Sequence, residues 1–100
     1  MPADPAFRMT VEDIFSIKGR GTVVTGRIES GIVAVGDDIR IQGQSTSRTT
    51  VVSGIEVFRK VVTRAGAGDT VGVLLKDIGK EDVRRGDLLT GSGDEVTLQV

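Results

Sequence analysis

Apolar residues recur at every second position in short runs along most of the chain, and glycine-containing turns separate the runs. A period of two marks strands with one buried face, so the pattern predicts an all-β chain of many short strands, a sandwich or a barrel. The first run, Phe7 to Ile17, reads as one strand with Phe7, Met9, Val11, Phe15 and Ile17 on a common face; Ile14 breaks the alternation. Lys18-Gly19-Arg20-Gly21 is a turn whose glycines accept positive φ. The second strand, about Thr22 to Glu29, sets Val24, Gly26 and Ile28 against Val23, Thr25, Arg27 and Glu29.

A short extended piece at Ile32 and Val33 lies between Ser30-Gly31 and Val35-Gly36-Asp37, and Asp38 to Gln42 forms a strand with Ile39 and Ile41 inward. Gln44 to Arg48 is a polar loop. Strict alternation from Thr49 to Arg59 groups Val51, Ser53, Ile55 and Val57 on one face, with Val52, Gly54, Glu56 and Phe58 on the other. Glu56 then lies between a glycine and an aromatic ring on a largely apolar face. Ala65-Gly66-Ala67-Gly68 leads into an apolar strand from Thr70 to Lys76. Lys80 to Gly86 reads as one helical turn closed by glycine, and Asp87 to Thr90 resumes a strand. The alternation of Glu95 to Val100 suggests one more edge strand. The organisation expected is a lead-in at 1–6, a barrel at 7–90 and a tail at 91–100.

Composition narrows the chemistry. The 100 residues include no His and no Cys, which removes the usual general base, the thiolate nucleophile and the common metal ligands. Catalysis by these residues alone is not expected, and neither is a disulfide framework. A net charge of -1 gives no broad basic field for phosphate, so any contact with nucleic acid has to be local and made by a few arginines. No run approaches a membrane span, and a cytoplasmic setting is expected.

Two glycine-rich stretches imitate phosphate loops without their chemistry. Gly19-Arg20-Gly21 runs into a strand rather than a helix, and Gly79-Lys80 is followed by Glu81 where a Walker loop needs Ser or Thr for magnesium. Arg59, Lys60 and Arg64 read as a solvated turn, Glu12 and Asp13 as surface residues on opposite faces of a strand, and Phe7, Phe15 and Phe58 as core. On these grounds the chain is a small β-barrel and a binding module.

Three stretches carry a family resemblance. Val11 to Glu29 (VEDIFSIKGRGTVVTGRIE), Gly54 to Lys60 (GIEVFRK) and Ala67 to Leu75 (AGDTVGVLL) resemble domain 2 of elongation factor Tu, in order and with family-like spacing from about Phe7 to Leu89. The resemblance implies a small closed antiparallel β-barrel of the translation-factor domain 2 type. It also implies non-catalytic recognition of the aminoacylated 3′ end of tRNA in a cleft shared with a GTPase domain. GTP and magnesium would belong to that GTPase domain, leaving no cofactor for these residues. Aminoacyl-tRNA and the GTPase domain are the implied partners, with small-subunit ribosomal RNA as a further contact.

Carried over by position, Glu56 would pack against the terminal adenosine, Arg59 would lie beside it, and Leu74 would wall the adenosine pocket. The turn at Gly19, Arg20 and Gly21 would let backbone approach the acceptor end. Glu12, Asp13, Phe15 and Thr25 would line the pocket for the amino-acid moiety, with Thr70 where the family usually has Asn. Ser30 stands where the family has an arginine, and Val61 to Gly66 departs from a segment that is acidic in the family. These departures keep a second reading open: a free-standing barrel that contacts protein or ribosomal RNA and no longer binds aminoacyl-tRNA.

Overall fold

The computed structural model describes residues 4–91. Ten strands follow one another: β1 (Arg8–Thr10), β2 (Asp13–Ile17), β3 (Gly21–Ser30), β4 (Ile32–Ala34), β5 (Asp38–Gln42), β6 (Ser47–Val57), β7 (Lys60–Val62), β8 (Arg64–Gly66), β9 (Thr70–Leu75) and β10 (Leu88–Gly91). Among the described residues a single 3-10 turn, Lys80–Asp82, interrupts them. The all-β expectation holds. Six strands close a ring in the order β1, β10, β5, β6, β9, β3 and back to β1, and every pairing is antiparallel. Closure removes the free edges that an open sheet would expose. β2 continues the sheet beyond β3, β7 continues it beyond β6, and β4 pairs with β8 in a separate ribbon.

The inward positions fill the barrel with one contiguous cluster that includes Phe7, Met9, Val24, Ile28, Ile39, Ile41, Val52, Val73, Leu75 and Leu89. β3 obeys its alternation without a fault: Thr22, Val24, Gly26 and Ile28 are buried. Gly26 sits where β1 crosses β3, and a Cβ there would collide with the Thr10 carbonyl oxygen. Two buried threonines tie the chain that leaves β9 to the barrel end, since the Thr22 hydroxyl donates to the Ile78 carbonyl and the Thr50 hydroxyl to that of Lys76. Replacing Thr22 by Val keeps the shape but leaves the Ile78 carbonyl without that partner. The expected result is a loss of about 1–2 kcal/mol, read from urea denaturation midpoints.

Strict alternation fails in two places, and both failures turn side chains over. The expected first strand is two strands. Met9 to Asp13 is four steps along the chain where their partners Ile28 and Thr25 are three apart, so one residue is extra and the parity reverses. Phe7, Met9 and Val11 are buried, but Phe15 and Ile17 face outward at 52% and 38% exposure. In β6, Val52 faces Leu75 and Gly54 faces Leu74, which leaves Ser53 as a bulge. The buried residues of β6 are therefore Thr50, Val52 and Ile55, instead of one parity throughout.

Smaller corrections follow the same logic. Phe58 is not core; it is 86% exposed in the turn after β6. The Arg59, Lys60 and Arg64 segment is more than a turn, because β7 and β8 are three-residue strands, too short to display alternation. β6 starts at Ser47, inside the expected polar loop. Gly86, at φ +92, belongs to the turn before β10 and does not close the 3-10 turn. The expected tail strand, Glu95 to Val100, lies outside the described residues.

Candidate functional site

β2, β3, β9, β6 and β7 form a five-stranded surface in which β3, β9 and β6 belong to the barrel ring, and its outward face is concave. Strand register draws the face in rows, because directly paired residues share a side of the sheet. One row runs Asp13, Thr25, Gly72, Glu56, Val61. The next runs Phe15, Val23, Leu74, Gly54. Gly72 stands in the middle of the first row and Gly54 at the β6 end of the second, so the floor is low along β9 and β6.

The two floor glycines differ in their tolerance. A Cβ at Gly54 would make ordinary contacts with Leu74, the nearest at 3.6 Å, whereas one at Gly72 would press on Val23 Cγ1 at 3.3 Å. The concavity measures about 590 Å³. Phe15 and Ile17 line it from β2, and Phe58, Arg59 and Val61 from the β6–β7 hairpin. Phe58 and Val61 are 86% and 84% exposed, so the rim presents apolar surface to solvent.

The hairpin that carries this rim is unusual. Val57 pairs with Lys60, so Phe58 and Arg59 alone make the turn, and both have positive φ, 51° and 67°. Tight two-residue turns of this kind favour Asn-Gly. A non-glycine residue in the left-handed region costs on the order of 1 kcal/mol. That cost sets an aromatic ring and a guanidinium side by side at the edge of an apolar floor. Charge on the face is sparse and placed: Glu56 as carboxylate, with Arg20 and Arg59 as the cations. Such a face suits a ligand with a flat apolar part, a hydroxyl or ammonium for the carboxylate and a negative charge near the arginines.

Of the residues singled out in the sequence, Arg20, Glu56, Arg59, Leu74, Phe15, Thr25 and Thr70 line this concavity together. Four do not line it. Asp13 shares a row with Thr25, but its carboxylate pairs with Arg85 at 2.9 Å. Glu12 precedes β2, where its backbone N–H donates to the Thr25 carbonyl. A Cβ on Gly21 would meet the Leu75 carbonyl oxygen at 2.8 Å, so close packing against β9 requires glycine there. Gly19 has φ +76 in the β2–β3 turn and open space around it, with nothing within 4 Å of where a Cβ would stand.

Ile17, Val23, Ser53, Gly54, Phe58, Val61 and Gly72 line the face and had not been singled out as site residues. Val23 was within reach of the pattern, since it shares the outward parity of Thr25 on β3. The others depend on the two parity reversals, on the hairpin turn or on cross-strand pairing. No group of three or more potential metal ligands gathers among the described residues. No helix there is long and apolar enough to cross a membrane.

A family model described as elongation factor Tu domain 2 matches residues 21–90. The matched stretch runs from the first residue of β3 into β10 and includes β6 and β9, which hold Glu56, Thr70 and Leu74, and the β6–β7 turn, which holds Arg59. β1 and β2, with Glu12, Asp13 and Phe15, precede it.

Proposed function

Because the chain belongs to the elongation factor Tu domain 2 family, we propose that it is a non-catalytic barrel that helps to bind the aminoacylated 3′ end of tRNA in translation elongation. A GTP-binding domain would complete the site in the cytoplasm. The observation that carries this reading is the concave face itself, an apolar floor with one carboxylate and two arginines at its margins. A terminal adenosine offers a flat base for the floor, ribose hydroxyls for Glu56 and phosphates for Arg20 and Arg59. Recognition of one nucleotide end by shape and a few hydrogen bonds is consistent with a chain of net charge -1. Phe15, Thr25 and Thr70 lie on the β2–β3–β9 side of the same face and would receive the amino-acid moiety.

The test is affinity for a short CCA-ended acceptor helix, aminoacylated and deacylated, with and without an added GTP-binding domain of the family, read by fluorescence anisotropy. Tighter binding of the acylated form, strengthened by the added domain, is expected. A second reading, a barrel that contacts protein or ribosomal RNA, draws on the exposed Phe58 and Val61. Indifference to acylation in both formats would favour it.

A further inference from the structure

The reversal of parity in β6 decides what the ligand face contains. A regular strand buries every second residue, yet the buried residues here are Thr50, Val52 and then Ile55. Two steps along β6, Val52 to Gly54, match one step along β9, Leu75 to Leu74, and Ser53 is the residue in excess. Had the alternation continued unbroken, residue 56 would share the side of Val52 and turn inward. An unpaired carboxylate there is strongly unfavourable. Ile55 would turn outward and leave a gap in the core. The bulge therefore exports Glu56 to the concave face and imports Ile55.

A bulge leaves its extra residue outside the ladder, so something else has to fix it. The Ser53 hydroxyl donates to the Leu74 carbonyl at 3.2 Å, across the strand pair and at the residue that faces the irregularity. Leu74 also lines the concavity with its side chain. One hydrogen bond thus joins the device that orients Glu56 to the residue beside Gly54 on the floor. We propose that Ser53 is a positioning residue of the ligand face, whose hydroxyl pins the β6 bulge to β9 and so sets the direction of Glu56. The inference rests on the aminoacyl-tRNA reading of that face and adds to it a residue that acts through Glu56.

A double-mutant cycle tests it, with the aminoacylated acceptor helix as probe and the GTP-binding domain present. Ser53→Ala is expected to weaken binding roughly five-fold, the worth of one modest hydrogen bond, and Ser53→Thr to retain it. In a Glu56→Ala background the same serine substitution is expected to change affinity by about two-fold or less, because its effect is already spent. An undiminished five-fold loss in that background would overturn the proposal, showing that Ser53 acts without Glu56.

A second measurement needs no ligand. Amide hydrogen exchange in the free protein is expected to accelerate at residues 54–56 and 74 in Ser53→Ala and to recover in Ser53→Thr. Unchanged exchange there, or a uniform rise over the whole barrel, would overturn the positioning role. Loss of acyl discrimination by the unsubstituted protein would instead remove the ligand reading, and the exchange result would still decide the role of Ser53.

Discussion

Phe7→Ala is expected to lower the stability of the barrel by about 4 kcal/mol, whereas Phe58→Ala is expected to change it by less than about 0.5 kcal/mol. Both residues are phenylalanines in runs of similar hydrophobicity, so the contrast rests entirely on placement. Phe7 is 1% exposed and enters β1 from a turn in which its own N–H donates to the Asp4 carbonyl. It belongs to the same buried cluster as Met9, Ile28 and Leu89. Truncating it removes a ring's worth of apolar burial and leaves a cavity that the surrounding strands, fixed by hydrogen bonds, cannot close.

Domains of this size are stable by about 5–15 kcal/mol, so the Phe7 variant would keep only a fraction of its margin. Phe58 is 86% exposed and has little burial to lose, and alanine at its positive φ is no more strained than phenylalanine. Urea denaturation of the two variants side by side checks the pair of expectations. A large loss for Phe58→Ala would mean that the hairpin folds back onto the barrel.

Glu56→Ala is expected to weaken binding of the aminoacylated acceptor helix about 30-fold, or about 2 kcal/mol, with little change in stability. The side chain is exposed and stands at the β6 side of the floor, flanked across the strands by Gly72 and Val61. Neither neighbour can replace a hydrogen-bond acceptor. A carboxylate that accepts from ribose hydroxyls makes a charge-assisted bond, stronger than a neutral one, and closure by a GTPase domain would strengthen it further by excluding water. Glu56→Gln keeps the shape and one acceptor, so its loss should fall between that of wild type and that of alanine. Titration by fluorescence anisotropy, alongside melting curves for the variants, separates the binding effect from any folding effect. Equal affinity for wild type and Glu56→Ala would remove Glu56 from the site.

Much of the barrel is written in the period of the sequence, and the exceptions have identifiable physics. β3 displays its alternation openly, so the inward Val24 and Ile28 and the outward Thr25 follow from parity alone, whereas β9 reads as an apolar strand without a marked face. β1–β2 and β6 each contain one extra residue, and a bulge has no composition signal strong enough to mark it in a single sequence. A reader of the alternation therefore carries the wrong parity past it, which is why Phe15 was expected inside. Phe58 was misplaced for a related reason: the two-residue turn that holds it uses no glycine or asparagine. Glu56 stands out in the sequence as a carboxylate among apolar neighbours, but the bulge at Ser53 sends Val52 to the buried side, and the apolar floor beside Glu56 comes from other strands. The cross-strand partners that make the face, Gly72 beside Glu56 and Leu74 beside Gly54, come from register over long sequence separation and are not local information.

The most direct test of the ligand face is an NMR titration of isotope-labelled protein with the aminoacylated and deacylated acceptor helix at two salt concentrations. Shifts gathered on Phe15, Thr25, Gly54, Glu56, Arg59, Gly72 and Leu74 are expected, larger for the acylated form and persisting at the higher salt. Shifts scattered over Arg64, Arg84 and Arg85, indifferent to acylation and abolished by salt, would contradict that expectation and leave only nonspecific attraction to phosphate.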